Sequence, residues 1–334
     1  MRFPLSRSRR FVAALSLIVA PALVAALALL AGCGGKPFAE GGSRDLTLLS
    51  TLAPDAPEQL LFRAVMEREA IRIEDERAYE VHLAPLDSAR AYRARTVVCL
   101  GYGPERDVPR PFRSLLRPLE RGGRPYTFVP DLWLRGQAVG LVWAPTREEL
   151  WSALQRDQNG LFLALDRAVY GTVRSRVLSL PRDTEAEEHL RQVLGIRLRV
   201  PRGYSLRIDR KLGAACLVDE GPPARLLRLG RVRGAAAPDL RDARDQLARA
   251  FRPGERTLSI EEPTLEPGGM PGGARSLYGR WEDAEVSAAG PYRFFEVVRG
   301  GGRYHVDLAV FAPGRPKLPY LRELQVIAET LGEP

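Results

Sequence analysis

The sequence predicts an α+β fold: two α/β-mixed domains with largely antiparallel sheets packed by amphipathic helices. Three observations indicate this class. Short apolar runs, alternating or continuous as in strands, recur along the chain. Between them lie segments whose apolar residues recur at helical spacing. Stretches rich in Gly and Pro separate the two kinds of segment, as loops do.

The N-terminus carries an export signal. Four arginines precede an uncharged apolar core over residues 11–30, and the tetrapeptide Leu-Ala-Gly-Cys follows at 30–33. The core is long enough to span a bilayer, so a retained transmembrane helix is the alternative interpretation. Pro21 within the core and the small residues before Cys33 favour cleavage. We therefore predict cleavage between Gly32 and Cys33, with lipid attached to Cys33.

The tetrapeptide resembles the bacterial lipobox, where the cysteine thiol takes a diacylglyceryl group before the lipoprotein signal peptidase cuts. The freed amine is then acylated, with palmitate as an expected chain, and two or more chains anchor a protein firmly. Residues 33–43 are rich in Gly and predict a flexible tether. The predicted location is the cell envelope, facing the periplasm. Gly34, in place of Asp, favours the outer membrane under the enteric sorting rule.

Residues 44–182 form the first predicted domain after the signal peptide (1–32) and the tether. Apolar spacing predicts strands over 46–52, 80–86, 95–102 and 137–143, and helices over 57–69, 113–120 and 160–178. Thr146 and Glu149 form a capping box, so a further helix, carrying Leu150 and Leu154, begins there.

The second predicted domain, 183–334, follows a polar stretch that contains Pro181. Its patterns predict strands over 196–200, 206–209, 214–219, 226–232, 276–281, 292–298 and 304–311, helices over 240–251 and 320–331, and a loop over 262–273. Thr184 is a candidate cap for a short helix toward Leu194. Residues 142–145 and 310–313 share a pattern: each predicted strand ends in an aromatic residue followed by Ala-Pro, and a predicted helix comes next. A duplicated unit and chance are both interpretations of this echo.

Known catalytic motifs are absent from the sequence: there is no Gly-x-Ser-x-Gly, P-loop or His-Glu-x-x-His. The three histidines are scattered. His305 and Asp307 share a strand face, where a surface pair is favoured over half of a metal site. Cys99 and Cys216 lie in apolar runs and predict buried thiols rather than a disulfide. We predict no catalytic residue, no metal site and no cofactor.

Charge gives one regional signal. The signal peptide holds four of the 50 basic residues and none of the 41 acidic ones, so the mature chain has a net charge of +5. Residues 191–256 hold 16 basic and 7 acidic residues. This stretch faces either anionic lipid headgroups or solvent. Arginine outnumbers lysine throughout, as in GC-rich genomes, and an envelope location argues against nucleic acid as a partner.

Several motifs together resemble an uncharacterised bacterial lipoprotein family, known only as a domain of unknown function in lipobox-bearing envelope proteins. Besides the lipobox, they are Asp131-Leu132-Trp133 with Gly136-Gln137, Gly195-Ile196 through Val200-Pro201-Arg202-Gly203-Tyr204, Gly279-Arg280-Trp281 with Gly290-Pro291, and Ala312-Pro313 with Tyr320-Leu321-Arg322-Glu323-Leu324. The family more often has Gly-Gly-Pro where this chain has Ala289-Gly290-Pro291, and it is richer in Lys. The resemblance implies the anchor and the layout, and it supplies no catalytic residue.

Two functions follow from these observations. The favoured one is a non-catalytic binding or assembly module, held to membrane lipid through acylated Cys33 and meeting an envelope protein partner. The alternative is an envelope hydrolase that acts on peptidoglycan, lipid or peptide through carboxylates such as Asp131 and Glu282.

Overall fold

Two large β-sheets, a small two-stranded sheet and seven helices make up the described fold, which confirms the α+β class. The computed structural model describes residues 36–71, 75–232, 239–261, 275–299 and 301–332. The chain divides into two units, Met1–Phe38 and Ala39–Pro334. Both predicted domains lie within the second unit, and a boundary between them at 182/183 stays a prediction.

The predicted signal peptide, Gly32 and Cys33 lie outside the described residues, as does the whole of the predicted loop 262–273. Cleavage and lipid attachment therefore stay predictions. Among the helices of the described ranges, none combines the length and apolarity needed to span a bilayer.

The first large sheet has the strand order β4-β1-β5-β7-β6. Its strands are β1 (Asp45–Ser50), β4 (Glu80–Ala84), β5 (Thr96–Tyr102), β6 (Tyr126–Pro130) and β7 (Ala138–Ala144), and the small sheet consists of β2 (Glu69–Ile71) and β3 (Glu76–Arg77). β1 pairs in parallel with β4 and β5, β5 pairs in parallel with β7, and only β6 is antiparallel to its neighbour. The predicted antiparallel character is therefore wrong for this sheet. Crossover segments bring the chain back to the same edge before each parallel strand, and apolar periodicity does not report strand direction.

Seven helices pack on the sheets. They are α1 (Pro57–Met66), α2 (Leu116–Gly122), α3 (Arg147–Arg156), α4 (Gln158–Ser179), α5 (Thr184–Leu194), α6 (Leu240–Arg249) and α7 (Leu318–Glu329). The Thr146 side chain accepts a hydrogen bond from the Glu149 backbone N–H at 3.2 Å, which confirms the predicted start of α3. Arg147, at that start, donates to the buried Glu58 of α1 over 2.7 Å. This hydrogen bond holds the pKa of Glu58 below its ordinary value, although burial opposes the shift.

The second large sheet is antiparallel throughout, in the order β11-β12-β13-β14-β10-β9-β8. Its strands are β8 (Ser205–Asp209), β9 (Ala214–Asp219), β10 (Ala224–Arg231), β11 (Glu255–Glu261), β12 (Arg275–Asp283), β13 (Ala288–Arg299) and β14 (Gly302–Phe311). β7 and β14 do run into α3 and α7, as the echo indicates. However, the two sheets differ in strand order and pairing, so the fold does not bear out a duplicated unit.

The predicted strand 196–200 is wrong in its pairing and right in its burial. Ile196, Leu198 and Val200 are buried while Arg197 is exposed. The backbone, however, pairs with no neighbouring strand. Val200 N–H donates to the Glu187 carboxylate at 2.9 Å, Arg199 N–H donates to the hydroxyl of the threonine that follows the last helix, and the Arg197 carbonyl accepts from a backbone N–H near the C-terminus at 2.9 Å. Alternation therefore reports which side chains are buried, but not what the backbone bonds to.

A close backbone approach explains one glycine of the second sheet. A Cβ atom at Gly290 would lie 2.0 Å from the carbonyl oxygen of Val310, so only glycine fits between β13 and β14 there. Trp281, from the neighbouring strand β12, is fully buried beside it.

Helix α7 is bound to residues of the first half of the chain. The Glu76 carboxylate accepts hydrogen bonds from the backbone N–H groups of Lys317 (2.7 Å) and Leu318 (3.0 Å), and so caps the helix. Asp166 of α4 accepts from Arg322 of α7, and both side chains are buried. These contacts fix the last helix against α4 and the small sheet.

Three further observations concern the predicted polar residues. Cys99 and Cys216 are both buried free thiols. Asp307 is fully buried, so the expected surface pair with His305 is wrong. His305 instead lies 3.2 Å from the Glu296 carboxylate.

Candidate functional site

An arginine-rich cavity of about 590 Å³ lies where the first turns of α5 meet residues 197–199 and the end of α7. We call it the arginine cavity. Its lining residues are Arg182, Thr184, Glu187, Glu188, Arg191, Arg197, Leu198, Arg199 and Thr330. Four arginines against two glutamates give the lining a formal charge of +2.

Local sequence explains why these side chains converge. Asp183, rather than the predicted Thr184, caps α5 by accepting from the Ala186 N–H at 3.0 Å. Gly195 ends the helix with a φ of 66°, a left-handed conformation that glycine adopts readily. The alternation that follows buries Leu198 and leaves Arg197 outside the core.

Most charges in the cavity are paired with each other. Glu187 accepts from Arg182 at 3.0 Å, and Glu188 accepts from Arg191 at 2.8 Å. Burial would raise the pKa of Glu187, but the hydrogen bond from Arg182 holds it below the ordinary value. The hydrogen bond from Arg191 lowers the pKa of the half-exposed Glu188 to about 2. Both glutamates are therefore carboxylates at neutral pH.

Arg197 differs from the other cavity arginines: Arg182 and Arg191 pair with glutamates, and Arg199 donates to the Leu178 carbonyl. The Arg197 side chain is exposed, and among the described residues no carboxylate forms an ion pair with it. A guanidinium group presents a planar set of donors that matches a carboxylate or a phosphate with two parallel hydrogen bonds. The lining contains no cysteine, histidine or aspartate beside its threonines. The arrangement is therefore suited to binding an anion.

The carboxylates predicted for the hydrolase alternative have structural partners. Asp131 accepts from the backbone N–H of Gly136 at 2.6 Å, and Glu282 accepts from Arg256 at 2.7 Å. Neither residue lines the arginine cavity, and no described contact joins the two. The structure thus gives the predicted pair no shared site.

Asp45, Glu80 and His82 form a group with the residue types of a metal site. Their candidate ligand atoms all lie within 4.8 Å of one another on β1 and β4. Two of the three already have partners, because Asp45 accepts from the Gly42 N–H at 2.7 Å and Glu80 is paired with Arg44. A guanidinium beside the group opposes a cation, so we assign no metal to it.

The basic stretch 191–256 contains two arginines that face neither lipid nor solvent. Arg228 of β10 and Arg244 of α6 are fully buried with Glu255 and Asp307. Arg228 donates to Glu255 at 2.9 and 2.5 Å and to Asp307 at 2.5 Å. We call these four side chains the buried ion network. It is charge-neutral and holds α6 on the sheet.

The comparisons with known proteins do not identify the chain. No family model and no curated protein sequence matches it. Among solved structures, it is similar to LpqN of Mycobacterium tuberculosis, a protein described as involved in cell envelope biogenesis. The two share 19% identity over 41% of this chain and 81% of that chain, with a TM-score of 0.24. A similarity this low supports no conclusion about the fold or function of this chain. The family resemblance of the motifs therefore stays a prediction.

Proposed function

We propose that this protein is a lipid-anchored envelope lipoprotein whose folded unit binds, without catalysis, an anionic group of an envelope ligand or protein partner. The arginine cavity is the observation that carries this proposal. It combines paired arginines, which hold the lining in place, with Arg197, whose guanidinium faces no carboxylate of the described chain. Carboxylate and phosphate groups share the chemistry that such a guanidinium recognises.

The anchor in this proposal is acylated Cys33, and the folded unit faces the periplasm. The apolar core with its lipobox-like end supports this placement, and Gly34 supports the outer membrane. The hydrolase alternative has no comparable support, because Asp131 and Glu282 are engaged separately.

The test is a calorimetric titration of the purified lipidated chain in detergent, with inorganic phosphate and with acetate as probes. The Arg197→Ala variant is compared with Arg117→Ala, which removes an exposed arginine of α2. A hydrogen bond to a charged group contributes about 1.5–3 kcal/mol, so we expect Arg197→Ala to weaken binding of the better probe roughly 10- to 100-fold. Arg117→Ala should bind as the parent does.

Either of two results would overturn the binding role of the cavity: no saturable binding of either probe, or equal affinities of the two variants. Intact-mass measurement of the same preparation tests the anchor. A chain that begins at Cys33 and carries acyl groups supports it, whereas an unmodified Cys33 contradicts it.

A further inference from the structure

We infer that the ligand of the proposed function carries at least two anionic groups, because a second basic cavity lies beside the arginine cavity. This strand-end cavity has a volume of about 540 Å³ and is lined by residues 193–195, 210, 213 and 231–232. The inference rests on the proposed function and adds the class of ligand. That ligand is a polyanion that bridges two sites, in place of a single carboxylate or phosphate.

Two strands of the second sheet end in the same pattern, Leu-Arg-(Ile or Leu)-x-Arg, at 206–210 and 227–231. β8 and β10 are both antiparallel to β9, so they run in the same direction and the patterns end at the same end of the sheet. The residues just before the two final arginines both pair with Ala214. Arg210 and Arg231 therefore lie beyond one cross-strand row, with roughly 10 Å between their backbones because a single strand separates them.

Alternation along β10 places the Arg231 side chain on the face of the sheet that α5 covers. Leu227 and Leu229 are in the core that also contains Leu190 of α5, and Arg231 is the next residue on their side of the strand. The Arg231 N–H donates to the Gly213 carbonyl at 3.2 Å, which fixes the end of β10 against the turn before β9. Both strand-end arginines thus meet the last residues of α5 at the edge of this core.

No carboxylate of the described chain neutralises Arg210 or Arg231. Both side chains are exposed, and neither forms an ion pair within the described ranges. The nearest acid in sequence, Asp209, is used by its own turn, because it accepts from the backbone N–H groups of Lys211 (2.9 Å) and Leu212 (3.0 Å). The C-terminal end of α5 offsets roughly half of one elementary charge. Most of the formal charge of +2 on the lining therefore remains.

The two cavities share helix α5. Glu188 lines the arginine cavity and Leu194 lines the strand-end cavity, and the six residues of helix between these positions advance ~9 Å. Gly195 of the strand-end cavity and Arg197 of the arginine cavity are two residues apart, so at most ~7 Å of chain separates them. Arg197 and the two strand-end arginines therefore surround the end of α5, and none of the three has a carboxylate partner in the described chain.

Two neighbouring sites of the same charge favour a ligand that fills both. A guanidinium group binds a phosphate or a carboxylate through parallel hydrogen bonds. Once one anionic group of a ligand is bound, its second group is held at a high local concentration beside the other cavity. A single anion gains nothing from this arrangement, whereas a molecule with two anionic groups roughly 10 Å apart gains affinity without any new kind of contact.

Probes of graded length test the bridging directly. The purified lipidated chain in detergent is titrated by calorimetry with methylphosphonate and with alkane bisphosphonates whose spacers run from ethane to dodecane. Dicarboxylates with the same spacers, with acetate as their reference, distinguish a phosphate ligand from a carboxylate ligand. The test variants are Arg197→Ala and the pair Arg210→Ala with Arg231→Ala. The matched control, Arg117→Ala with Arg121→Ala, removes two exposed arginines of α2, and urea unfolding shows that each variant keeps the parent fold.

We expect methylphosphonate to bind at both cavities, and each test variant to lose one of them. The affinity of the bisphosphonates should rise with spacer length, reach a maximum where the spacer spans the cavities, and then fall. The best bisphosphonate should bind roughly 100-fold more tightly than methylphosphonate. Either test variant should remove this gain, whereas the control pair should retain it, although it removes as much charge as the strand-end pair.

Three results would each overturn the inference: a best bisphosphonate no tighter than methylphosphonate, an affinity independent of spacer length, or unchanged bisphosphonate binding when Arg210 and Arg231 are replaced. If Arg197→Ala still weakens methylphosphonate binding in these cases, the proposed function stands and only the bridging fails. Methylphosphonate binding that is insensitive to Arg197→Ala contradicts the proposed function, and the bridging with it.

Discussion

Replacing Glu255 with glutamine should be among the most destabilising changes of similar size in this protein. Glu255 accepts from Arg228 at 2.9 and 2.5 Å and also from Arg244, and all three side chains are fully buried. Glutamine keeps the shape but removes the charge, which leaves Arg228 with Asp307 alone and Arg244 with the longer contacts to Asp307 (3.5 Å) and Asp245 (3.4 Å). Breaking a buried ion pair in this way costs about 3–5 kcal/mol. That loss is a large part of the 5–15 kcal/mol that typically stabilises a folded protein.

The assay is urea unfolding of Glu255→Gln and of a matched control, Glu282→Gln. Glu282 is on the neighbouring strand β12 and pairs with the exposed Arg256, so its loss should cost under about 1 kcal/mol. Adding Arg244→Met to Glu255→Gln restores neutrality, and this double variant should unfold at higher urea than the single one. The reasoning is refuted if Glu255→Gln costs no more than the control, or if the double variant gains nothing over it.

Three further predictions can be checked on the purified protein. Gly290→Ala should lower the free energy of unfolding by about 1–3 kcal/mol because its Cβ meets a carbonyl, whereas Gly122→Ala, in open space on α2, should raise it by roughly 0.5–1 kcal/mol; urea unfolding that ranks them the other way would contradict this. The lowered pKa of Glu58 means that its carboxylate stabilises the fold above pH 4.5 and that this contribution is lost as the pH falls through the folded pKa. The stability difference between the parent and Glu58→Gln should therefore shrink on acidification, and a difference that grows would count against it. Burial raises the pKa of Cys99 to about 12 and of Cys216 to about 11, so iodoacetamide should modify them only after unfolding; rapid modification of the native protein, seen by mass spectrometry, would disprove it.

Apolar spacing predicted most helices and central strands because it reports burial. β9 is an example: its observed bounds, Ala214–Asp219, coincide with the predicted run. The same spacing gave no information on strand direction in the first sheet. It also missed β6 and β11, which lie at the edges of their sheets: most residues of β6 are only partly buried, and the two buried residues of β11, Glu255 and Thr257, are polar.

The candidate site was harder to predict because its residues are far apart in sequence and because no local sequence pattern marks them as parts of one site. The alternation of arginines at 197 and 199 was visible, but it was assigned to a strand that does not form. Nothing local indicates that the threonine at 330 and the glutamates of α5 would lie beside them. The buried ion network was hidden for a related reason. Arg228, Arg244 and Asp307 have the composition of a solvated surface, and only long-range pairing makes their burial acceptable.

The cap that Glu76 provides for α7 bears on how such a chain can change over generations. The carboxylate is about 240 residues upstream of the two backbone N–H groups that it satisfies, and Asp166 and Arg322 are 156 residues apart. A recombination event that exchanged the part after residue 182 would leave a bare helix end and a buried charge without its partner. The two parts of Ala39–Pro334 therefore have to be inherited together, and a new binding surface is more readily acquired by replacing exposed arginines than by exchanging halves.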